Sequence, residues 1–491
     1  MYSIFNTLAQ FDSVKADQPI YIYGAKTIAI RACMYLEKIL NKGGGVTGFL
    51  VSNKYDNPTE LCHKPVYRIE NLTDENLGTV IIAVGWQFVE EVTKDLSSYH
   101  INDLHVISPL LFDSWPMDII KTQNCKLSPY AAISENAQIF ADETSEIIIE
   151  PGVIIHDKVC ILAARNSKVV IKENTQLEYK AFIYTETGAL TVGSFSTLHE
   201  KSSLTVTENS SITIGGKSTL SEKANISAQG ASTIRLGNST HLAEKAAVRT
   251  NKKSTIQANR NLHLGEGSLV SSNKNSQLKF DHHINCGRTS TICSDKYSLL
   301  QLEHHSSLGN DSRIIANEHG YLHLGQKSVI GNNTAISSTT YGKVQLGSEI
   351  RLSDNGTLGT YNQGEIFIGN NSTINPNFYL GAEHAKIDIG EDNMFSFFIK
   401  MNAGSHEIAD KETGTIIDNT APIITGKHVW LGMGTTLLPG CNIGEGSIAG
   451  AASLVNKAIP ANCICAGAPA KVIRENIVWS REKRDSQIFN E

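Results

Sequence analysis

The chain has 491 residues, 41% of them hydrophobic, with 49 acidic against 43 basic side chains and a net charge of −6. That length exceeds what one ordinary core serves, so several domains, or one domain extended by repetition, are expected. Lys and Arg are nowhere gathered into a stripe that would track phosphates, and no run of 18 apolar residues occurs, so neither nucleic acid nor membrane insertion is expected.

Met1 to Phe11 lacks the basic-then-apolar order of a signal peptide, which predicts a cytoplasmic protein. Nine cysteines are scattered from Cys33 to Cys465 without paired CxxC units, and read as reduced, mostly buried thiols. Residues 1–120 alternate strand and helix patterns: Ile20 to Tyr23 as a buried strand, Ile28 to Leu40 as a helix, Thr79 to Val84 as a strand and Trp86 to Leu96 as a second helix. This predicts a small Rossmann-like α/β domain. Its first strand runs into Gly24-Ala25-Lys26-Thr27-Ile28-Ala29, with one glycine where a dinucleotide fingerprint has three, so NAD is not expected.

From residue 121 to 401 an apolar-x-apolar unit recurs every 22 residues, occasionally 21, as in Val169-Val170-Ile171, Ile212-Thr213-Ile214 and Leu322-His323-Leu324. Two more apolar positions follow each unit six and twelve residues on: Ile214 leads to Leu220 and Ile226, Leu324 to Ile330 and Ile336. From Leu127 this makes thirteen turns with three apolar sites each, and the residue two before each unit is Ser, Gly or Ala from Ser145 to Ala385. A six-residue spacing scatters side chains around a helix but gives stacked short strands one inward residue per side, so the segment is a three-sided parallel β-solenoid with four residues added at one corner. Within it His282-His283 and His304-His305 are 22 residues apart and should stack on adjacent coils. No carboxylate or thiolate was found to join them in register, so no metal is expected.

The frame breaks after Met401 and resumes at Thr425, running through Leu431, Leu437, Ile443, Ala449 and Val455 with no added corner residues. Residues 402–424 must therefore leave the prism as a loop, and a long loop on a regular scaffold is more often functional than decorative. The loop reads Asn402-Ala403-Gly404-Ser405-His406-Glu407-Ile408-Ala409-Asp410. The coil after it reads Gly426-Lys427-His428-Val429-Trp430-Leu431-Gly432, and Gly467-Ala468-Pro469-Ala470-Lys471-Val472-Ile473-Arg474 closes the block. Residues 402–460 are expected to form this loop and the coils without added corner residues, and 461–491 a capping segment.

Across roughly residues 387–475 these motifs resemble the hexapeptide-repeat, left-handed β-helix acyltransferases, closest to the sugar O-acetyltransferases of bacterial capsule and lipopolysaccharide biosynthesis. The left hand comes from that resemblance alone, since parallel β connections are otherwise right-handed. The resemblance implies acetyl-CoA as acyl donor, a carbohydrate acceptor and a homotrimer. It implies His406 as the base that deprotonates the sugar hydroxyl, which then attacks the thioester directly, with the Met433 backbone N–H receiving the oxyanion. It places Trp430, Gly432, Ala451, Lys457, Lys471 and Arg474 at the coenzyme and Asn402, Glu407 and Asp410 at the acceptor. Members often carry an acidic residue two before the catalytic histidine, where this chain has Gly404. Two alternatives remain open on sequence: an N-acetyltransferase of an amino nucleotide-sugar, suggested by the N-terminal domain, and a non-enzymatic carbohydrate-binding solenoid scaffold.

Overall fold

The computed structural model describes residues 2–5, 8–14, 17–24, 28–29, 32–33, 36–37, 45–54, 57, 59–62, 64–72, 77–84, 86–107, 124–404 and 406–481. The chain forms two compact units, residues 1–211 with 228–231, and residues 212–227 with 232–491.

The first unit opens with a seven-stranded sheet in the order Ser3–Phe5, Asp103–Ile107, Thr79–Ile82, Ile20–Tyr23, Gly48–Val51, Lys64–Arg68, Glu60–Leu61. Neighbours are parallel except the last pair. The two expected strands are present, and the helix at Trp86–Leu96 buries Val89, Val92 and Leu96 against Val80 and Ile82. Of the expected Ile28–Leu40 helix, residues 28–29, 32–33 and 36–37 are helical and the other positions lie outside the described residues. Coils begin at Cys125–Leu127. The sheet packs on them through one cluster in which Phe11, Leu36 and Phe49 meet Cys160, Leu162, Phe182 and Tyr184. Polar contacts edge that face: the Thr59 N–H and hydroxyl both donate to Glu208 Oε1 (2.9 Å each), and Arg165 pairs with Glu60.

In both units the coil register follows the sequence period. Ile147 pairs with Val169 and Leu322 with Val344, 22 residues on, while Val169 pairs with Leu190 and Ile366 with Ile387, 21 on. The inward positions are buried, among them Leu220, Leu242, Leu264, Ile330 and Ile374. Leu127 and Ile133 are only partly covered because they belong to the first coil. Each buried Leu or Ile contributes on the order of 1.5–3 kcal/mol by leaving water, so stacking repeats one favourable layer many times.

Corners need separate means, since their backbone lies outside the ladders. The small residue before each unit builds one: the N–H groups of Ser254, Ser276 and Ser298 donate to the hydroxyls of Ser232, Ser254 and Ser276 (3.1–3.3 Å), one coil apart. The column then turns to glycine at Gly320, where a Cβ would overlap the Ser338 carbonyl. At another corner the side-chain oxygens of Asn310, Asn332 and Asp354 accept from the N–H of Arg288, Asn310 and Asn332 (2.7–2.9 Å). After Thr425 the spacing drops to 18, with Trp430 paired to Ile448 and Thr436 to Leu454, and finally to 16, with Ile448 paired to Ile464.

Candidate active site

Asn402 still pairs with Gly381, and the Ala403 N–H donates to the Gly381 carbonyl (2.9 Å). The ladder resumes where Ile423–Thr425 pairs with Ile387–Ile389, 36 residues on instead of 18 or 22. The excursion is thus residues 403–422, one residue shorter at its start and two at its end than the sequence frame indicates. Within it Ile408–Ala409 and Ile416–Ile417 form an antiparallel hairpin. Asp410 builds the turn, its Oδ1 accepting the Thr413 N–H (2.8 Å), the Thr413 hydroxyl (2.9 Å) and the Glu412 N–H (3.0 Å). These bonds, the Thr413 N–H foremost, hold its carboxyl below the ordinary value.

His406 sits at the base of this hairpin. The Asn419 side-chain amide donates to its carbonyl (2.5 Å), which fixes the backbone while the side chain stays exposed, as do Asn402 and Glu407. Among the described residues no hydrogen bond or ion pair engages the His406 imidazole. Gly404 is buried, and a Cβ there would overlap the carbonyl oxygen of Glu383. An acidic side chain at this position would push the loop root off the coil, which accounts for the glycine.

Beside the root runs the coil carrying Trp430 and Met433, because Lys400 and Met401 pair with Thr436 and Leu437 and the Gly434 N–H donates to the Phe397 carbonyl (2.8 Å). Trp430 (37% exposed), Met433 (54%), Phe397 (43%) and Phe398 (49%) leave an apolar surface uncovered. Gly432 is required for the coil contact: a Cβ there would lie 2.6 Å from the Ala451 nitrogen. Ala451, Lys457, Lys471 and Arg474 are exposed, the last two on a strand, Lys471–Arg474, that doubles back antiparallel on Ile464–Ala466. A depression of about 570 Å³ is lined by first-unit residues including Ser134, His156, Asp157 and Tyr179, none of them a candidate site residue.

His428 has a different environment. Its Nδ1 lies 2.6 Å from Asp392 Oδ2 and its Nε2 2.9 Å from the Trp479 carbonyl oxygen, and its ring stacks on Trp479 with centroids 3.9 Å apart. The Trp479 indole N–H donates to the His428 carbonyl (3.0 Å), and Arg481 Nε lies 3.0 Å from Asp392 Oδ1. Both ring nitrogens are engaged, so this histidine ties down the C-terminal segment. Trp479, 5.8 Å from Trp430 between ring centroids, is a neighbour of the site that sequence reasoning missed, because it lies beyond the repeat. Its aromatic character in a polar tail was the available signal.

The remaining titratable groups of note are outside this region. Burial pushes the inward-facing Cys286 thiol up to about 12, and likewise Cys441. The nine cysteines are in the thiol form, without disulfides. The histidine stacks form as expected, with centroids 5.1 Å apart for His282 and His304 and 4.6 Å for His283 and His305. The expectation that no carboxylate joins them does not hold: Asp281 Oδ1 is 2.6 Å from His282 Nδ1 and Oδ2 is 3.4 Å from His304 Nδ1. Asp281 stands outside the histidine columns, because it precedes His282 within its own turn. Among the described residues no helix is long and apolar enough to cross a membrane.

No family model matches the chain. Among curated proteins it is 40% identical over 92 residues to the "Putative colanic acid biosynthesis acetyltransferase WcaF" of Escherichia coli K12, covering 19% of this chain and 49% of that one. It is 48% identical over 54 residues to the galactoside O-acetyltransferase of the same strain (11% and 27%), and 30% identical over 115 residues to the polysialic acid O-acetyltransferase of Escherichia coli O1:K1 (23% and 38%). The chain thus spans half or less of the length of each of these three relatives. Among solved structures, that of the polySia-specific acetyltransferase NeuO matches at 19% identity and a TM-score of 0.28, over 55% of this chain and 93% of that one. With its six-residue frame and its interrupted coil, the chain is similar over these shared segments to proteins named as sugar and polysaccharide acetyltransferases.

Proposed function

We propose that the chain transfers an acetyl group from acetyl-CoA to a sugar hydroxyl of a bacterial surface polysaccharide or its precursor. The observation that carries this reading is the single excursion that lifts an exposed His406 off an otherwise unbroken stack, beside the apolar coil surface of Trp430 and Met433. A sugar hydroxyl is a poor nucleophile until a base takes its proton, and an accessible imidazole suits that task at neutral pH. The hydroxyl oxygen then attacks the thioester carbon as its proton passes to His406, the C–S bond breaks, and the His406 imidazolium returns the proton to the departing CoA sulfur, so that CoA leaves as the thiol. Met433 lies at the turn after Trp430, where its backbone N–H would receive the oxyanion. The residues suit the coenzyme: Trp430 and Met433 offer apolar surface to the pantetheine arm, Gly432 and Ala451 allow close approach to backbone, and Lys457, Lys471 and Arg474 are exposed cations for its phosphates. Asn402 and Glu407 face the acceptor, and Asp410 shapes the hairpin.

One exposed coil face does not enclose a thioester and a sugar together, so a second surface is needed. We place it on a neighbouring copy in a left-handed, trimeric assembly in the cytoplasm, with His406 of one subunit facing Trp430 and Met433 of the next. The exposed Ile408, Ile416 and Ile417 of the hairpin suit such a contact. The test is acetyl transfer to galactosides and to deacetylated colanic acid, lipopolysaccharide and polysialic acid, followed by mass spectrometry. His406→Ala should lose about a hundredfold or more with coenzyme binding retained. Mixed His406→Ala and Trp430→Ala chains should regain activity. Near-normal turnover of His406→Ala would refute the base, and a fully active monomer would refute the shared site.

A further inference from the structure

We propose that Asp281, His282 and His304 form a binding site for a divalent transition-metal ion of the zinc type, stapling two adjacent coils. The Asp281 carboxylate, His282 Nδ1 and His304 Nδ1 are three donors of the kind such ions prefer, and the three groups offer ligand atoms all within 4.8 Å of one another. Side chains of the three are between 31% and 45% exposed, so an ion reaches them from solvent without opening the fold.

The backbone presets the arrangement. The His305 N–H donates to the His282 carbonyl (3.1 Å) and the Asp281 N–H to the Leu302 carbonyl (2.9 Å), so the two turns are locked one rung apart, and the Lys327 N–H ties the His304 carbonyl to the next coil (2.9 Å). The carboxylate lies against both histidines, whose rings stack at 7° between planes; a ring nitrogen's lone pair lies in the ring plane, so one imidazole turns about its side-chain torsion for both to face a single ion. Donors about 2.05 Å from a tetrahedral ion stand about 3.3 Å apart; Asp281 Oδ2 and His304 Nδ1 are already at 3.4 Å. The contact between Asp281 Oδ1 and His282 Nδ1, at 2.6 Å, is a hydrogen bond. Exchanging its proton for the ion asks the two side chains to separate by less than 1 Å. The carboxylate is also oriented from behind: Oδ1 accepts the His282 N–H (2.9 Å) and the Asn259 amide (3.2 Å), the outer-shell support that metal ligands usually have. Water would complete the coordination.

Full-length protein made without a polyhistidine tag and stripped with a chelator is titrated with zinc sulfate by calorimetry, and with cobalt(II) followed by its visible absorption. One equivalent per chain is expected, together with a zinc-dependent rise in melting temperature. Asp281→Asn and His304→Gln should each weaken zinc by at least about tenfold, the lower end of what outer-shell partners alone contribute, and abolish the rise. Both variants should melt like the parent without metal. His263→Gln, in the other stacked pair with His241, should bind as the parent does. Absence of zinc binding by the parent, or equal binding by the Asp281 and His304 variants, overturns the site. So does loss of binding in His263→Gln alone.

Discussion

Replacing Gly404 by alanine isolates the position of the His406 loop from the chemistry proposed for it. The added Cβ would overlap the Glu383 carbonyl oxygen, far inside the 3.0 Å that real Cβ atoms keep from other atoms. Glu383 belongs to a strand held by the Gly381 and Tyr379 pairings to Lys400 and Asn402, so the oxygen cannot retreat. The loop root must move instead, by about 1 Å, and a misplacement of that size at a reacting group costs up to about 10²-fold in rate, close to 2.7 kcal/mol of barrier. Coils on either side keep their ladders, so melting should change little. Steady-state acetyl transfer with both substrates varied is the assay. The expected result is a fall in kcat with the KM for acetyl-CoA within about threefold, since the Trp430 coil is undisturbed. A Gly404→Ala enzyme with undiminished kcat would refute the argument that close packing at this glycine sets the histidine. Loss of folding would refute the claim that the loop is an appendage to a stack stable without it.

Leu264→Ala, at a fully buried inward position, should destabilise the second unit by about 2–5 kcal/mol, seen as a lower urea midpoint, whereas Val329→Ala at an outward position (41% exposed) should shift stability by less than about 0.5 kcal/mol. Cys286 and Cys441, with thiols raised to about 12 by burial, should resist alkylation at pH 8 in the native protein and react once it is unfolded; rapid native labelling of Cys286 would show the register to be wrong. Asp410 is held below its ordinary value by Thr413 and Glu412, so the hairpin turn gains from ionisation above the unfolded carboxyl value and loses that gain as pH falls through the lowered one. The Thr413 amide resonance should therefore titrate below the ordinary aspartate value of 3.8, and in Asp410→Asn it should not titrate there.

The inward frame was legible because a stacked prism imposes one rule on every coil, and each violation would place an apolar side chain in water. Leu127 and Ile133 obey the rule in sequence and are still part-exposed, since sequence period says nothing about which coil is last. The excursion was legible as a break in the frame, but its edges were not: Asn402 looks like loop and lies in a ladder, because a short rung needs only backbone pairing. Two features were hidden for the same reason. Asp281 reaches the histidines through a tight turn, and Trp479 returns to His428 from outside the repeat, and neither contact has a period to reveal it. Gly404 was visible as a departure from the family motif, yet its cause, the approach of Glu383, exists only in three dimensions.

One corner of the prism is the place where the fold keeps no fixed length. Two of the three inward steps in each coil are six residues, as from Leu324 to Ile330 and Ile336. The third is ten from Ile336 to Leu346, nine from Leu380 to Ile389, twenty-four from Met401 to Thr425, six from Leu437 to Ile443 and four from Val455 to Ile459. The hairpin that carries His406 is therefore the longest variant of a connection that the other coils already make. A new loop could be grafted at that corner of any other coil, or a whole coil excised between equivalent points on it, without changing which side chains face inward. Within the second unit the stack behaves as a rail with identical mounting points, one of which carries the hairpin.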